Sequence, residues 1–435
     1  MKLFTVKLSV LFCLLLVAVT FNGCQQRKTN PSVNQRLKML LAESDYFQLR
    51  DELERVKSDL SKEDYLLYKA YCLRAADSCV QSNEIAKELL NHNQSDITVD
   101  MRFELLYLLY SNYKSMFQYE LAVKPLHELL TRYRNDINMR DFTTLDSEKK
   151  LLSAIADVKP QKINKQATVN IPIFWNSNNL LLVPVSSGGV KDVFTFDTGA
   201  NLSVVSRSMA EKMGMSLYEG VRYSVFSVSD FELEGIPAIA DSIYIGDLLF
   251  ENVIFIVLND EDIRSSFCGY GNDGIIGFPV IRQMEEVRIK RKEGVLVVPK
   301  DVERKFLNNI VLDNSNVIVQ LQSGNKKFSL LADTGAATSI LSKRYFDSHK
   351  KEIIKDNELT EYRYIVLGGI AITNAYPLHV FPFKLGSKKG TLFEIPAEVE
   401  DVIVDEHYDG HLGLDALIQF DEVIINFKHM YIDFE

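Results

Sequence analysis

The tetrapeptide Asp-Thr-Gly-Ala occurs twice in this chain, at residues 197–200 and 333–336, and the displacement of 136 positions between the copies extends well beyond it. Without a gap, Val183 falls on Val319, Ser187-Gly188 on Ser323-Gly324, Lys191 on Lys327, Ser203 on Ser339 and Ser206 on Ser342. Downstream, Asp273-Gly274 falls on Asp409-Gly410, Ile276-Gly277 on Leu412-Gly413, Gln283 on Gln419, Glu286-Val287 on Glu422-Val423 and Ile289 on Ile425. A chance tetrapeptide would not carry such agreement through both flanks. Residues 169–299 and 300–435 are therefore two copies of one unit, and the last residue, Glu435, falls on Pro299 at the close of the first copy.

Both copies are written in strand code. Short runs rich in Val, Ile and Phe, such as Leu180 to Val185, Val193 to Phe196, Ile254 to Leu258, Val317 to Leu321 and Val423 to Phe427, alternate with turn residues. Residues 32–158 read differently. Leu37, Leu40 and Leu41, then Leu66, Leu67, Ala70 and Tyr71, then Leu105, Leu106, Leu108, Leu109 and Tyr113 recur at three and four positions, the period of a helix. Five to seven short helices are expected, separated by polar turns such as Asn91-His92-Asn93-Gln94-Ser95, in a small irregular solenoid. The stretch from Leu105 to Tyr133 resembles a tetratricopeptide helix pair without its full consensus. Such an array either presents a groove to a protein partner or serves as packing and spacing. A polar stretch, residues 157–168, reads as the linker to the β part. The expected class is thus multidomain, α followed by all-β: a solenoid-like helical domain, then a two-lobed pair of β-barrels.

The N-terminus carries Lys2 and Lys7, an apolar run from Leu8 to Phe21, and then Asn22-Gly23-Cys24. That is the pattern of a secretory signal, with a run too short to span a bilayer. A small residue before Cys24 resembles the lipobox of bacterial lipoproteins, with Phe21 departing from its usual Leu; an ordinary signal peptide with a coincidental cysteine is the alternative. Polar Gln25-Gln26-Arg27-Lys28 favours acylation at Cys24, and Gln25, not an aspartate, favours the outer membrane, facing the periplasm. Removing residues 1–23 takes away two lysines and no acid, so the net charge of −10 becomes −12. Acidity of that size gives no footprint for nucleic acid. Cys72, Cys79 and Cys268 do not form a disulfide framework; Cys72 and Cys79 either pair or, as helical spacing favours, stay as buried thiols.

In each copy, two hydrophobic residues and a glycine follow the aspartate, the glycine 80 positions on, at 277 and 413. With the paired Asp-Thr-Gly, this resembles the retropepsin and pepsin superfamily of aspartic proteases over residues 169–435. Retropepsins assemble the site from two identical chains; here duplication would supply both halves in one chain, as in pepsin, so the unit is expected to act as a monomer. The chemistry fits the residue types. Peptide hydrolysis by this route needs one carboxylate to take a proton from water and another to give one, and two carboxylates held about 3 Å apart share a proton. Asp197 and Asp333 are the expected dyad; which starts protonated is left open, because the titration belongs to the pair. The resemblance implies that Thr198 and Thr334 bond across to the opposite loop, that Gly199 and Gly335 leave room for backbone approach, and that Ser203 and Ser339 tie the aspartate strand to the later glycine strand. Asp415 is a partner for Ser339, whereas Pro279 holds the equivalent place in the first lobe.

Two departures from the family are visible. Retropepsins follow Asp-Thr-Gly-Ala with Asp and carry a later Arg; this chain has Asn201 and Ala337, then Phe278 and Leu414, so that ion pair is gone. Ala200 and Ala336 stand where pepsins have Ser or Thr, which removes a donor to the carboxylates and predicts a dyad less acidic than pepsin's, working from mildly acid toward neutral pH. The flap over the site is expected at Leu367-Gly368-Gly369-Ile370, where paired glycines permit a tight mobile hairpin; a plain hairpin turn is the alternative. The first-lobe counterpart, Phe226 to Gly235, lacks the glycine pair.

The remaining motifs lead elsewhere or nowhere. Gly269-Tyr270-Gly271-Asn272-Asp273-Gly274 matches G-x-G-x-x-G but lacks its strand-to-helix context. Glu406-His407 and His411 do not form a zinc motif, Cys268 has no catalytic setting, and no G-x-S-x-G elbow occurs. No metal or cofactor is expected. The expected activity is endopeptidase cleavage of polypeptides, with a non-cleaving peptide-binding scaffold as the alternative; glycoside hydrolysis by paired carboxylates would leave the Thr-Gly context unexplained.

Overall fold

A computed structural model of the chain describes residues 28–91, 97–226, 232–264, 273–404 and 407–435. Cys24 with the whole leader, the turn at 92–95, Cys268, Gly269 to Asn272 and Glu406 lie outside the described residues.

Among the described residues seven α-helices come first: α1 Pro31–Ala42, α2 Tyr46–Val56, α3 Lys62–Ala75, α4 Cys79–Asn91, α5 Val99–Ser115, α6 Tyr119–Arg132 and α7 Met139–Ala154. Their starts are chemically marked. Asn30, Asp45, Ser61, Thr98 and Asn138 each accept a backbone N–H of the first turn, which stabilises a helix by about 1 kcal/mol per cap. Each helix packs on the next, and Leu37, Leu49, Ala70, Leu89, Leu105, Leu126 and Leu152 fill the interior. Cys72, half-buried, and Cys79, buried, are both free thiols; burial pushes the Cys72 thiol up to about 12. Among the described residues no helix is long and apolar enough to cross a membrane.

The β part begins inside the stretch read as linker. Strand β1 Lys162–Asn164 pairs antiparallel with the first lobe, Lys162 opposite Glu251, and buried Gln161 donates to Gln283 Oε1 at 2.8 Å. This stretch is therefore docked rather than free, because its backbone finds a sheet edge to bond. The first lobe continues with β2 Val169–Pro172, β3 Phe174–Trp175, β4 Leu181–Ser187, β5 Val190–Phe196, β6 Ser203–Ser206, α8 Arg207–Lys212, β7 Ser216–Leu217 and β8 Tyr223–Phe226. It closes with β9 Glu232–Ile245, β10 Leu248–Leu258, α9 Asp260–Arg264, β11 Gly274–Ile276, α10 Phe278–Gln283, β12 Glu286–Lys290 and β13 Val295–Val298. The second lobe repeats the order: β14 Ile310–Asp313, β15 Asn316–Ser323, β16 Lys326–Ala332, β17 Ile340–Leu341, α11 Lys343–Asp356 and β18 Thr360–Val366. Then follow β19 Gly369–Leu385, β20 Lys388–Glu398, β21 Gly410–Leu412, α12 Leu414–Leu417, β22 Glu422–Asn426 and β23 Tyr431–Phe434.

In the first lobe, pairing runs β10-β6-β11-β5-β4-β9 and returns to β10; in the second, β20-β17-β21-β16-β15-β19 returns to β20. A third sheet, β2-β13-β12-β22-β23, takes strands from both. At its centre Arg288 pairs with Ile424, a residue with its own counterpart 136 positions on, so an approximate twofold axis passes between β12 and β22. One continuous core includes Phe194, Phe255, Leu330, Phe383, Val287 and Ile425, and so joins both lobes to the shared sheet.

Strand β10 shows how the helical region attaches. From Val253 to Leu258 it is buried at every residue, not at every second one. Val253, Phe255 and Val257 enter the core of the lobes, while Ile254, Ile256 and Leu258 join the cluster of helical residues. A strand buried on both faces reads as an unbroken apolar run. On the second lobe, Phe47 and Ala75 pack with Val311, Ile318 and Leu331. Polar ties reinforce this seam: Arg282 of α10 meets Asp77 at 2.7 Å, and Arg74 donates to Asn314 O at 2.8 Å. The helices thus rest on both lobes at once.

Candidate active site

Asp197 and Asp333 each follow the last residue of a strand, β5 and β16. Their backbone N–H groups donate to Ile276 O and Leu412 O, both at 3.0 Å, so β11 and β21 run beside the strands that deliver them. Each chain then turns back on its own carboxylate. Gly199 N and Ala200 N donate to Asp197 Oδ1 at 2.8 and 3.1 Å, and Gly335 N donates to Asp333 Oδ1 at 2.8 Å.

The two loops meet across the twofold axis. A Cβ on Gly199 would lie 2.6 Å from Asp333 Oδ1, and one on Gly335 would lie 2.3 Å from Asp197 Cγ. Each carboxylate therefore occupies the space that any larger residue at the opposing glycine would need.

The threonines lock this arrangement. Thr198 N donates to Thr334 Oγ1 and Thr334 N to Thr198 Oγ1, each at 3.0 Å. Both hydroxyls then donate onward, Thr198 to Ala332 O at 2.8 Å and Thr334 to Phe196 O at 2.7 Å. Both threonines are buried, and the four bonds use every polar atom that the hydroxyls and the two N–H groups offer.

The serines act one layer further out. Ser203 Oγ accepts from Gly277 N and Ser339 Oγ from Gly413 N, each at 3.0 Å, tying the start of β6 and the residue before β17 to the glycine that follows β11 and β21. Ser339 also donates to Asp415 Oδ1 at 2.6 Å, while at the matching place in the first lobe Pro279 carries no such acceptor. Phe278 and Leu414, standing where retropepsins place an arginine, are buried in apolar packing; Phe278 meets the Phe427 ring edge-on at 5.4 Å.

The surroundings of the two aspartates are unequal. Asp197 is 6% exposed, and burial, then the neighbouring Asp333 charge, push its carboxyl well above the usual range against the pull of the Gly199 and Ala200 amides. Beside Asp333 stands a group that the first lobe lacks. His411, buried, places Nδ1 3.9 Å from Asp333 Oδ2, and its counterpart in the first copy is Ile275. Among the described residues no group of three or more His, Cys, Asp or Glu is placed to hold a metal ion.

The glycine pair proposed as a flap tip sits at the end of the β18–β19 hairpin. Val366 pairs with Gly369, so Leu367 and Gly368 form the two-residue turn; Gly368 has φ of +93°, and Gly369 is already strand. One glycine does the turning, at the position where a type II turn needs positive φ. The first-lobe counterpart is the β8–β9 hairpin, with Tyr223 opposite Gly235 and Phe226 opposite Glu232. Reading the motifs one by one passed over His411. The ungapped alignment of the two copies carried the signal, since it sets this histidine against an isoleucine two residues before the shared glycine.

Comparison with known proteins bears on the first copy. Residues 183–280 match the aspartyl protease family. The match runs through Asp197-Thr198-Gly199 to Ile275-Ile276-Gly277 and stops before the second copy. Among solved structures, a retropepsin-like aspartic protease from Rickettsia conorii aligns at 19% identity over 32% of this chain and 90% of its own, with a TM-score of 0.21. No curated protein matches the chain.

Proposed function

We propose that this chain is an aspartic endopeptidase whose site is completed by its own second repeat. The observation that carries the reading is the pair of facing Asp-Thr-Gly loops, cross-bonded through Thr198 and Thr334, with Asp197 and Asp333 against each other. In this reading the two carboxylates share one proton, held by Asp197, whose carboxyl is raised by burial and then by the neighbouring Asp333. Asp333 takes a proton from water as its oxygen attacks the scissile carbonyl carbon, and Asp197 gives its proton to the carbonyl oxygen. In the second step the proton on Asp333 passes to the amide nitrogen, the C–N bond breaks, and a hydroxyl proton of the collapsing diol returns to Asp197. The working range is mildly acid to neutral.

Incubating the chain with a mixed peptide library from pH 3 to 8, beside Asp197→Asn and Asp333→Asn, tests this. Cleavage by the wild type and by neither variant is expected. Cleavage by either variant at the wild-type rate removes the dyad, and no cleavage at any pH favours a peptide-binding scaffold. The same reading places the protein on a bacterial membrane through acylated Cys24, which radiolabelled palmitate incorporation, abolished in Cys24→Ala, would check.

A further inference from the structure

The two hairpins near the site are equivalent by the 136-residue displacement but are held differently. Leu233 and Val225 of the first and Leu367 of the second pack against the cluster that also receives Ala200, Leu202 and Ile275, the residues next to the first aspartate loop and its glycine strand. The first hairpin is further bound to helix α7. Tyr223 donates its hydroxyl to Glu148 Oε1 at 2.8 Å, and Ser224 N donates to Ser147 Oγ at 3.1 Å. Glu148 is itself 7% exposed and receives Lys114 of α5 at 3.1 Å, so the acceptor is fixed from behind. The second hairpin alternates buried and exposed residues, with Ile365, Ile370 and Ile372 at 38 to 52% exposure. Among the described residues no hydrogen bond ties Thr360 to Ile372 to the helices.

Building on the peptidase reading, we propose that α7 pins the first-lobe hairpin β8–β9, so that the site opens and closes on the second-lobe hairpin β18–β19 alone, with Ser147 and Glu148 as positioning residues. The helical region then serves as one wall of the enzyme. Gly368, at positive φ, turns the hairpin that α7 does not hold. A fixed wall on one side and a moving one on the other gives a substrate one rigid and one adaptive half-site.

Amide exchange of the full chain, read by mass spectrometry, tests the pin without needing turnover. Residues 223–226 are expected to exchange at least tenfold more slowly than residues 360–366. A Ser147→Ala, Tyr223→Phe double variant should bring the two within about threefold, with residues 422–426 unchanged as the sign of an intact fold. On a cleaved peptide the same variant should raise KM several-fold with kcat within twofold. Equal exchange in the two wild-type hairpins, or exchange at 223–226 unmoved in the variant, overturns the pin. A chain that shows the exchange difference yet cuts no peptide overturns the peptidase reading and leaves the pin standing.

Discussion

Replacing Thr198 by Val keeps the shape of the side chain and deletes its hydroxyl. In the native protein that hydroxyl donates to Ala332 O at 2.8 Å and accepts from Thr334 N at 3.0 Å. The bonds made by Thr334 Oγ1, to Thr198 N and Phe196 O, survive the change. Two backbone groups are left without partners at a place where Thr198, Ala332 and Thr334 are 0 to 2% exposed, so water cannot replace the lost bonds. Each orphaned group costs about 1–3 kcal/mol, which makes the expected loss about 2–6 kcal/mol. Thr198→Ser is the control: it keeps both bonds and loses one methyl, at about 1 kcal/mol. Urea denaturation followed by the fluorescence of the single tryptophan, Trp175 in the first lobe, reads both variants, with an unchanged m-value as the sign that the same surface unfolds. If Thr198→Val costs no more than Thr198→Ser, the cross-bonding does not hold the lobes together in the way described.

Three further outcomes follow from the same geometry. Because the folded state raises the Asp197 pKa, the native chain keeps a proton there that the unfolded chain loses above about pH 4, so stability falls as pH rises toward the folded value, by at most about 1.4 kcal/mol per pH unit; Asp197→Asn should remove this slope and be more stable than wild type at pH 7 but not at pH 3, in thermal melts at both. His411→Ile, which copies the first lobe, removes a polar, ionisable ring 3.9 Å from Asp333 Oδ2 and should move the acid limb of kcat/KM to higher pH, while an unmoved limb would take His411 out of the electrostatics. Gly335→Ala sets a methyl 2.3 Å from Asp197 Cγ and should lower kcat by about a hundredfold or more, measured on any cleaved peptide.

The facing of Asp197 and Asp333 was legible because the two copies align without a gap, so each residue near one aspartate names its counterpart near the other. Thr198 with Thr334 and Arg288 with Ile424 are residues related by that displacement, and the structure pairs both. The helices, seven among the described residues where five to seven were expected, followed from the three-and-four spacing of residues such as Leu105, Leu106 and Leu109. What stayed hidden was the seating of those helices. Glu148 and Tyr223 are 75 positions apart, and a glutamate on a helix with no neighbouring signal reads as solvated. The run Val253 to Leu258 did carry a clue, since a strand apolar at every position has both faces covered, but it could not name the cover. The stretch at 157–168 misled for a physical reason: a polar sequence can dock through its backbone, as β1 does, without any apolar signature.

The fusion of the two repeats has a consequence for what selection can reach. In an enzyme assembled from two identical chains, every substitution near the dyad arrives twice, and a histidine beside one aspartate would bring a second beside the other. Joined copies escape that constraint. This chain has used the freedom at three places within reach of the site: His411 against Ile275, Asp415 against Pro279, and a hairpin bound to α7 against one that is not. Two unlike sides, set before any ligand arrives, are open to a polypeptide that carries both halves of its own centre and closed to a pair of identical chains.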